Sequence, residues 1–162
     1  MEENKIVKYE GGLIKRISNQ IGVTNKLLAV NLRQLNILHL DDHILYSKGV
    51  TKNCTNKKFP NAITEYIQNG DKALEYVINC LENKESLDLI ITDFAHPGLN
   101  GIDFANAVRI KEIDYSQKIP ILFITLHDQK SLVQRIKEIP FVQYLSKTSP
   151  CEKINFAINN LI

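Results

Sequence analysis

The stretch LDLIITDFAHPGLNG, residues 87–101, ends a short apolar run on an acid, Asp93, followed by a loop opened by Pro97-Gly98. The same grammar recurs along the chain. Short apolar runs at NILHL (36–40), AITEYI (62–67), LDLIIT (87–92), PILFIT (120–125) and FVQYLS (141–146) read as strands. Segments of helical length and spacing follow them at 43–57, 71–82, 101–113, 128–138 and 150–162. Asn69-Gly70-Asp71 reads as a turn feeding a helix cap, Asp128 and Ser149 stand where caps belong, and Pro150 suits a first helical position. Five βα units predict an α/β fold: a doubly wound, five-stranded parallel sheet with helices on both faces. Right-handed crossovers then bring every strand's C-terminal end to one edge, where a site belongs.

Outside these units lies a different segment. Residues 1–34 hold six Lys/Arg against three Asp/Glu, whereas the rest holds fourteen against fifteen. Leu13, Ile14, Ile17, Ile21 and Leu28 fall at near-helical spacing, so an N-terminal helical extension over 1–34 is expected before a domain at 35–162. A net charge of +2 and the lack of a basic run speak against direct nucleic-acid binding or a polybasic membrane anchor. The charged start MEENKIVKYE is no signal peptide, and no apolar run nears the roughly 18 residues of a membrane span, which predicts a soluble, cytoplasmic chain. Cys54, Cys80 and Cys151, odd in number and far apart, are expected to be ordinary reduced thiols.

Strand ends deliver a distinctive set to the predicted edge: Asp41 and Asp42, Asp93, Thr125 and Lys147. Each alone has a plain reading as a cap, turn residue, β-former or solvated lysine. Together they imply chemistry. Carboxylates about 5 Å apart repel by roughly 3 kcal/mol per pair at an effective dielectric near 20, so they need compensating charge. Mg²⁺, a hard ion with oxygen ligands, and the Lys147 ammonium would supply it. A carboxylate nucleophile, a metal, a cation and a hydroxyl donor make half of a phosphoryl-transfer site.

Through NILHLDDH, LDLIITDFAHPGLNG, PILFITLHD and VQYLSKTSP, residues 35–162 resemble the receiver domain of two-component response regulators. The resemblance implies a flavodoxin-like sheet in the order 2-1-3-4-5 and a non-enzymatic switch that catalyses only its own phosphorylation and dephosphorylation. It implies Asp93 as phosphoacceptor for a histidine kinase or phosphotransfer protein. Asp42, Asp93 and the Ala95 carbonyl would bind Mg²⁺, with Asp41 acting through a metal-bound water. Thr125 and Lys147 would hold the phosphoryl oxygens, and Thr125 with Tyr144 would switch the face of the fourth helix, fifth strand and fifth helix toward a partner or a homodimer. DDHILYSKGV and YLSKTSP look most like receivers that precede a helix-turn-helix (LuxR-type) output domain. None follows in this sequence, which leaves a stand-alone receiver or one from which an output domain has been trimmed.

Departures from the pattern are Phe94, Ala95 and His96 after the phosphoacceptor, and Ile139-Pro140 before the fifth strand. Ala95 and His127 occupy positions expected to tune phosphoryl lifetime. His43, His96 and His127 could also surround the acids and take a transition ion. Two other functions stay open: a phosphate-independent interaction module on the same fold, and a haloacid-dehalogenase-type phosphohydrolase, against which Ala95 stands where a second Asp is needed. A dinucleotide site is excluded because Asp41-Asp42-His43 replaces the glycine-rich turn.

Overall fold

A computed structural model describes residues 34–162. The expected N-terminal helices lie outside the described residues. Strands β1 (Asn36–Leu40), β2 (Ile63–Ile67), β3 (Leu89–Thr92), β4 (Ile121–Thr125) and β5 (Val142–Ser146) form one sheet in the order β2-β1-β3-β4-β5. Every neighbouring pair is parallel. Helix α1 begins as Ile44–Val50, widens to a π-helical stretch at Thr51–Thr55 and closes with an α turn at Asn56–Lys58. After it come α2 (Gly70–Asn83), α3 (Gly101–Tyr115), α4 (Lys130–Glu138) and α5 (Cys151–Leu161). The expected architecture and strand order are therefore present.

Strands β3 and β4 are buried along their whole length, as uninterrupted apolar runs require, while β2 and β5 stay partly exposed at the edges. Leu38 and Leu40 pack with Val77, Ile102, Val108 and Ile136, which places α2, α3 and α4 on one face. Strand alternation turns Ile37 and His39 to the other face, where Val50, Phe59, Ile154 and Ile158 of α1, the loop after it and α5 are buried. Removing one such side chain from water is worth about 1.5–3 kcal/mol, so two apolar faces hold the sheet's edge in place.

Backbone hydrogen bonds run one residue past the strands. Asp41 N–H donates to Ile67 O (3.1 Å), Asp93 N–H to Leu40 O (2.9 Å) and Lys147 N–H to Thr125 O (2.9 Å). The ladder itself thus fixes three of the polar strand-end residues. Gly101 allows the return: a Cβ there would strike the carbonyl of Asp93 and lie 2.9 Å from the Phe123 ring.

Helix starts are partly as expected. Asn69 caps α2 through the N–H groups of Asp71 and Lys72. The assignments at Asp128, Ser149 and Pro150 are corrected. Gln129 precedes α4 without a side-chain cap, and Pro150 is the cap residue of α5, one position later than the expected cap at Ser149, because its extended ψ of 157° points its carbonyl at Lys153 and Ile154. The departure at Ile139-Pro140 has a structural counterpart: Phe141 takes a positive φ of 62°, and Arg109 donates to the carbonyls of Pro140 and Phe141 while pairing with buried Glu112.

The expectation of three free thiols is also corrected. Cys54 and Cys151 form a disulfide, their Cα atoms 4.9 Å apart, whereas Cys80 is free and buried. The 97-residue separation in sequence hid the pairing. The winding lays α5 against the π-helical stretch of α1, so distant cysteines become neighbours.

Candidate functional site

At the C-terminal edge of the sheet, the Lys147 ammonium lies 2.7 Å from Asp41 Oδ2 and 2.7 Å from Asp93 Oδ2. All three side chains are buried. Asp41 Oδ1 accepts from His43 N–H (2.8 Å) and Asp93 Oδ1 from Phe94 N–H (2.6 Å). Thr125, fully buried, has a hydroxyl that helps stabilise the Asp93 carboxylate and whose oxygen accepts from His127 N–H at 3.2 Å. Four expected residues therefore meet through their side chains.

Asp42 stands at the rim, its carboxylate 2.9 Å from His43 Nδ1. With Ala95 and His127 it lines a cleft of about 330 Å³ whose floor holds Asp93 and Lys147. Tyr144 is set back, partly buried against the core, and its hydroxyl donates to the His127 carbonyl (3.4 Å). Among the described residues, His43 alone of the three histidines shares a metal-sized cluster with the acids, although Asp93, Asp42 and Asp41 all act electrostatically on His96. His43 and His127 line the cleft, while His96 sits beside Thr92 Oγ1 (3.5 Å).

Burial pushes the Asp93 carboxyl up, but hydrogen bonds from Lys147 and Thr125, the Lys147 charge and the Phe94 N–H outweigh it, so its pKa lies below the ordinary carboxylate value. Lys147 mirrors this: burial lowers it, and the two carboxylates more than reverse the effect. Asp93 is consequently a buried anion at neutral pH. One more charge would be accommodated. Buried Asp41 Oδ2 meets the ammonium but forms no well-angled hydrogen bond, and ligand oxygens or nitrogens of Asp41, Asp42 and His43 lie within 4.8 Å of one another. Carboxylate oxygens of this kind fit a hard divalent cation.

Two contributors were not foreseen. Tyr46, in the first turn of α1, places its ring 4.7 Å from Lys147 Nζ and donates its hydroxyl to Lys147 O (3.3 Å). Burial, then Asp41 and Asp93, push its pKa up to about 12, so it stays neutral. The signal available was an aromatic one helical turn into the helix that follows the acid pair. His39, buried behind the cleft, is held neutral at a pKa of about 3, by burial first and then by Lys147, with Asp93 opposing. It reads in sequence as one polar residue inside a strand.

Residues 37–159 match the family model of the response regulator receiver domain. The chain is similar to the response regulator UvrY of Escherichia coli (strain K12), with 23% identity over 127 residues, 78% of this chain and 54% of that protein. It thus spans about half the length of that relative. Among solved structures, the receiver domain of the histidine kinase CKI1 from Arabidopsis thaliana, complexed with Mg²⁺ and BeF₃⁻, superposes with a TM-score of 0.67 at 21% identity, covering 78% of this chain and 89% of that one. The Vibrio cholerae chemotaxis protein CheY4 gives 0.64 at 23% identity, covering 80% and 100%.

Proposed function

The chain belongs to the response regulator receiver family, and from that premise we propose that Asp93 takes a phosphoryl group from a histidine kinase or phosphotransfer protein and that the cleft around it operates a switch. The observation that carries this reading is the buried Asp93 carboxylate sharing one ammonium with Asp41. An Asp93 oxygen attacks phosphorus in line as the P–N bond to the donor imidazole breaks; the electron pair stays on that nitrogen, which takes a proton from solvent as the neutral imidazole leaves. Lys147 and the Thr125 hydroxyl receive the charge that builds on the phosphoryl oxygens. Asp42, Asp93 and the Ala95 carbonyl would hold Mg²⁺, with Asp41 acting through a water; the ion, when bound, neutralises charge on phosphate. Ala95 and His127, at the mouth of the cleft, control approach of hydrolytic water.

Output follows from what Thr125 touches. Its hydroxyl accepts from His127 N–H, and the His127 carbonyl accepts from Tyr144. A Thr125 drawn toward the phosphoryl group moves the backbone that holds Tyr144, and so alters the α4-β5-α5 face offered to a partner or a second copy. With saturating Mg²⁺ and a small-molecule phosphodonor, Thr125→Ala is expected to slow formation of the Asp93 adduct by about 10- to 100-fold. Unchanged kinetics in that variant would remove the hydroxyl from the mechanism.

A further inference from the structure

Away from the acidic cleft, the Cys54–Cys151 disulfide joins the π-helical stretch of α1 to the first residue of α5. Both ends lead back to Lys147. α1 carries Tyr46, which lies under the Lys147 ammonium and bonds its carbonyl, and Cys151 stands four residues beyond Lys147. π-Helical stretches concentrate at functional positions, and this one holds Cys54.

The two sulfurs differ in access and reactivity. Cys54 is 4% exposed, whereas Cys151 is partly exposed at the N-terminus of an eleven-residue helix, where the dipole favours a thiolate. Among the described residues, two buried oxygens of this layer have no hydrogen-bond partner: Thr55 Oγ1, next to Cys54 in sequence, and Asn155 Oδ1, one turn beyond Cys151. A pair of thiols brings S–H donors to this layer that a disulfide cannot.

We infer that Cys54 and Cys151 form a reversible thiol–disulfide site, set by small thiols and disulfides of the glutathione class, whose oxidised form clamps the segment from Lys147 to Cys151 against α1. In reduction, an external thiolate attacks the accessible Cys151 sulfur. A mixed disulfide forms, the Cys54–Cys151 bond breaks, and its electron pair leaves on Cys54, which takes a proton. A second external thiolate attacks the outer sulfur of the mixed disulfide, releasing the Cys151 thiolate, so that two external thiols are oxidised to one disulfide. Oxidation is the reverse, with the external disulfide as oxidant.

The inference does not depend on phosphoryl transfer, and its test contains no phosphate. The full chain is equilibrated across ratios of reduced to oxidised glutathione, alkylated after denaturation and weighed intact, while hydrogen exchange is followed over 51–58 and 146–154. Cys54 and Cys151 are expected to lose reactivity together toward the oxidising end, leaving Cys80 as the alkylated thiol. Both segments are expected to exchange about threefold or more faster once reduced, because local opening is no longer cross-linked. A Cys54→Ser/Cys151→Ser chain should exchange like the reduced form at every ratio. Cysteines that stay alkylatable at the most oxidising ratio, or equal exchange in the two forms of the unmutated chain, would overturn the inference; the latter comparison decides it even where the serine variant fails to fold.

Discussion

Replacing Lys147 with Met lowers folding stability at pH 7 in Mg²⁺-free buffer by about 3–5 kcal/mol, the range for a buried ion pair that loses one partner. The side chain is 8% exposed and its ammonium sits 2.7 Å from two carboxylates, of which Asp41 is 1% and Asp93 9% exposed. Without it, two buried anions face each other, and one must take up a proton or draw in water. Added Mg²⁺ should recover part of the loss, since a cation at Asp41 and Asp42 replaces some of the missing charge. Asp93→Asn should cost far less, because it removes one of the two anions that compete for the same cation. Denaturant unfolding of the three proteins with and without Mg²⁺ checks the ranking. A Lys147→Met loss under about 1 kcal/mol would show the carboxylates to be better solvated than the geometry implies.

His39 gives the protein an acid-sensitive core. Its folded pKa of about 3 lies below the unfolded value near 6.5, so between these limits the unfolded chain binds a proton that the folded chain does not. Stability from this group is complete above pH 6.5 and is lost as pH falls, at about 1.4 kcal/mol per pH unit, until the folded imidazole also protonates. From pH 6.5 to 4.5 the loss is about 2 kcal/mol. His39→Leu removes most of that slope and leaves the carboxylate titrations together with His96, whose pKa burial also lowers. Asp93, with its lowered pKa, adds stability that is present above the unfolded carboxylate range and fades as pH falls through its folded value. Comparing unfolding free energies of both proteins at pH 4.5 and pH 7 isolates the histidine, and equal slopes would mean the imidazole is hydrated or paired.

Much of this was readable in advance because a parallel sheet writes itself plainly. Strands β3 and β4 are covered on both sides, so LIIT and ILFIT show no polar interruption until Thr, and the residues just past each strand fall on one edge. Asp41, Asp93 and Lys147 were legible because the ladder continues through their own N–H groups. What stayed hidden depends on helix packing. The disulfide needs α1 and α5 to share a face, and Tyr46 reaches Lys147 only because α1 starts beside the acid pair. His39 looks the same in sequence whether the next layer is water or helix. The π-helical stretch has no proline or glycine to announce it, and the cap at Pro150 differs from expectation by a single residue whose ψ decides the matter.

Whether Asp93 is the phosphoacceptor of a Mg²⁺-dependent receiver is decided by intact mass after incubation with Mg²⁺ and acetyl phosphate, with Asp93→Asn and an EDTA-treated sample alongside. A single phosphoryl adduct on the unmutated chain, absent from both controls, is the predicted result. No adduct on a chain shown separately to bind Mg²⁺, or an adduct that persists in Asp93→Asn, would contradict it.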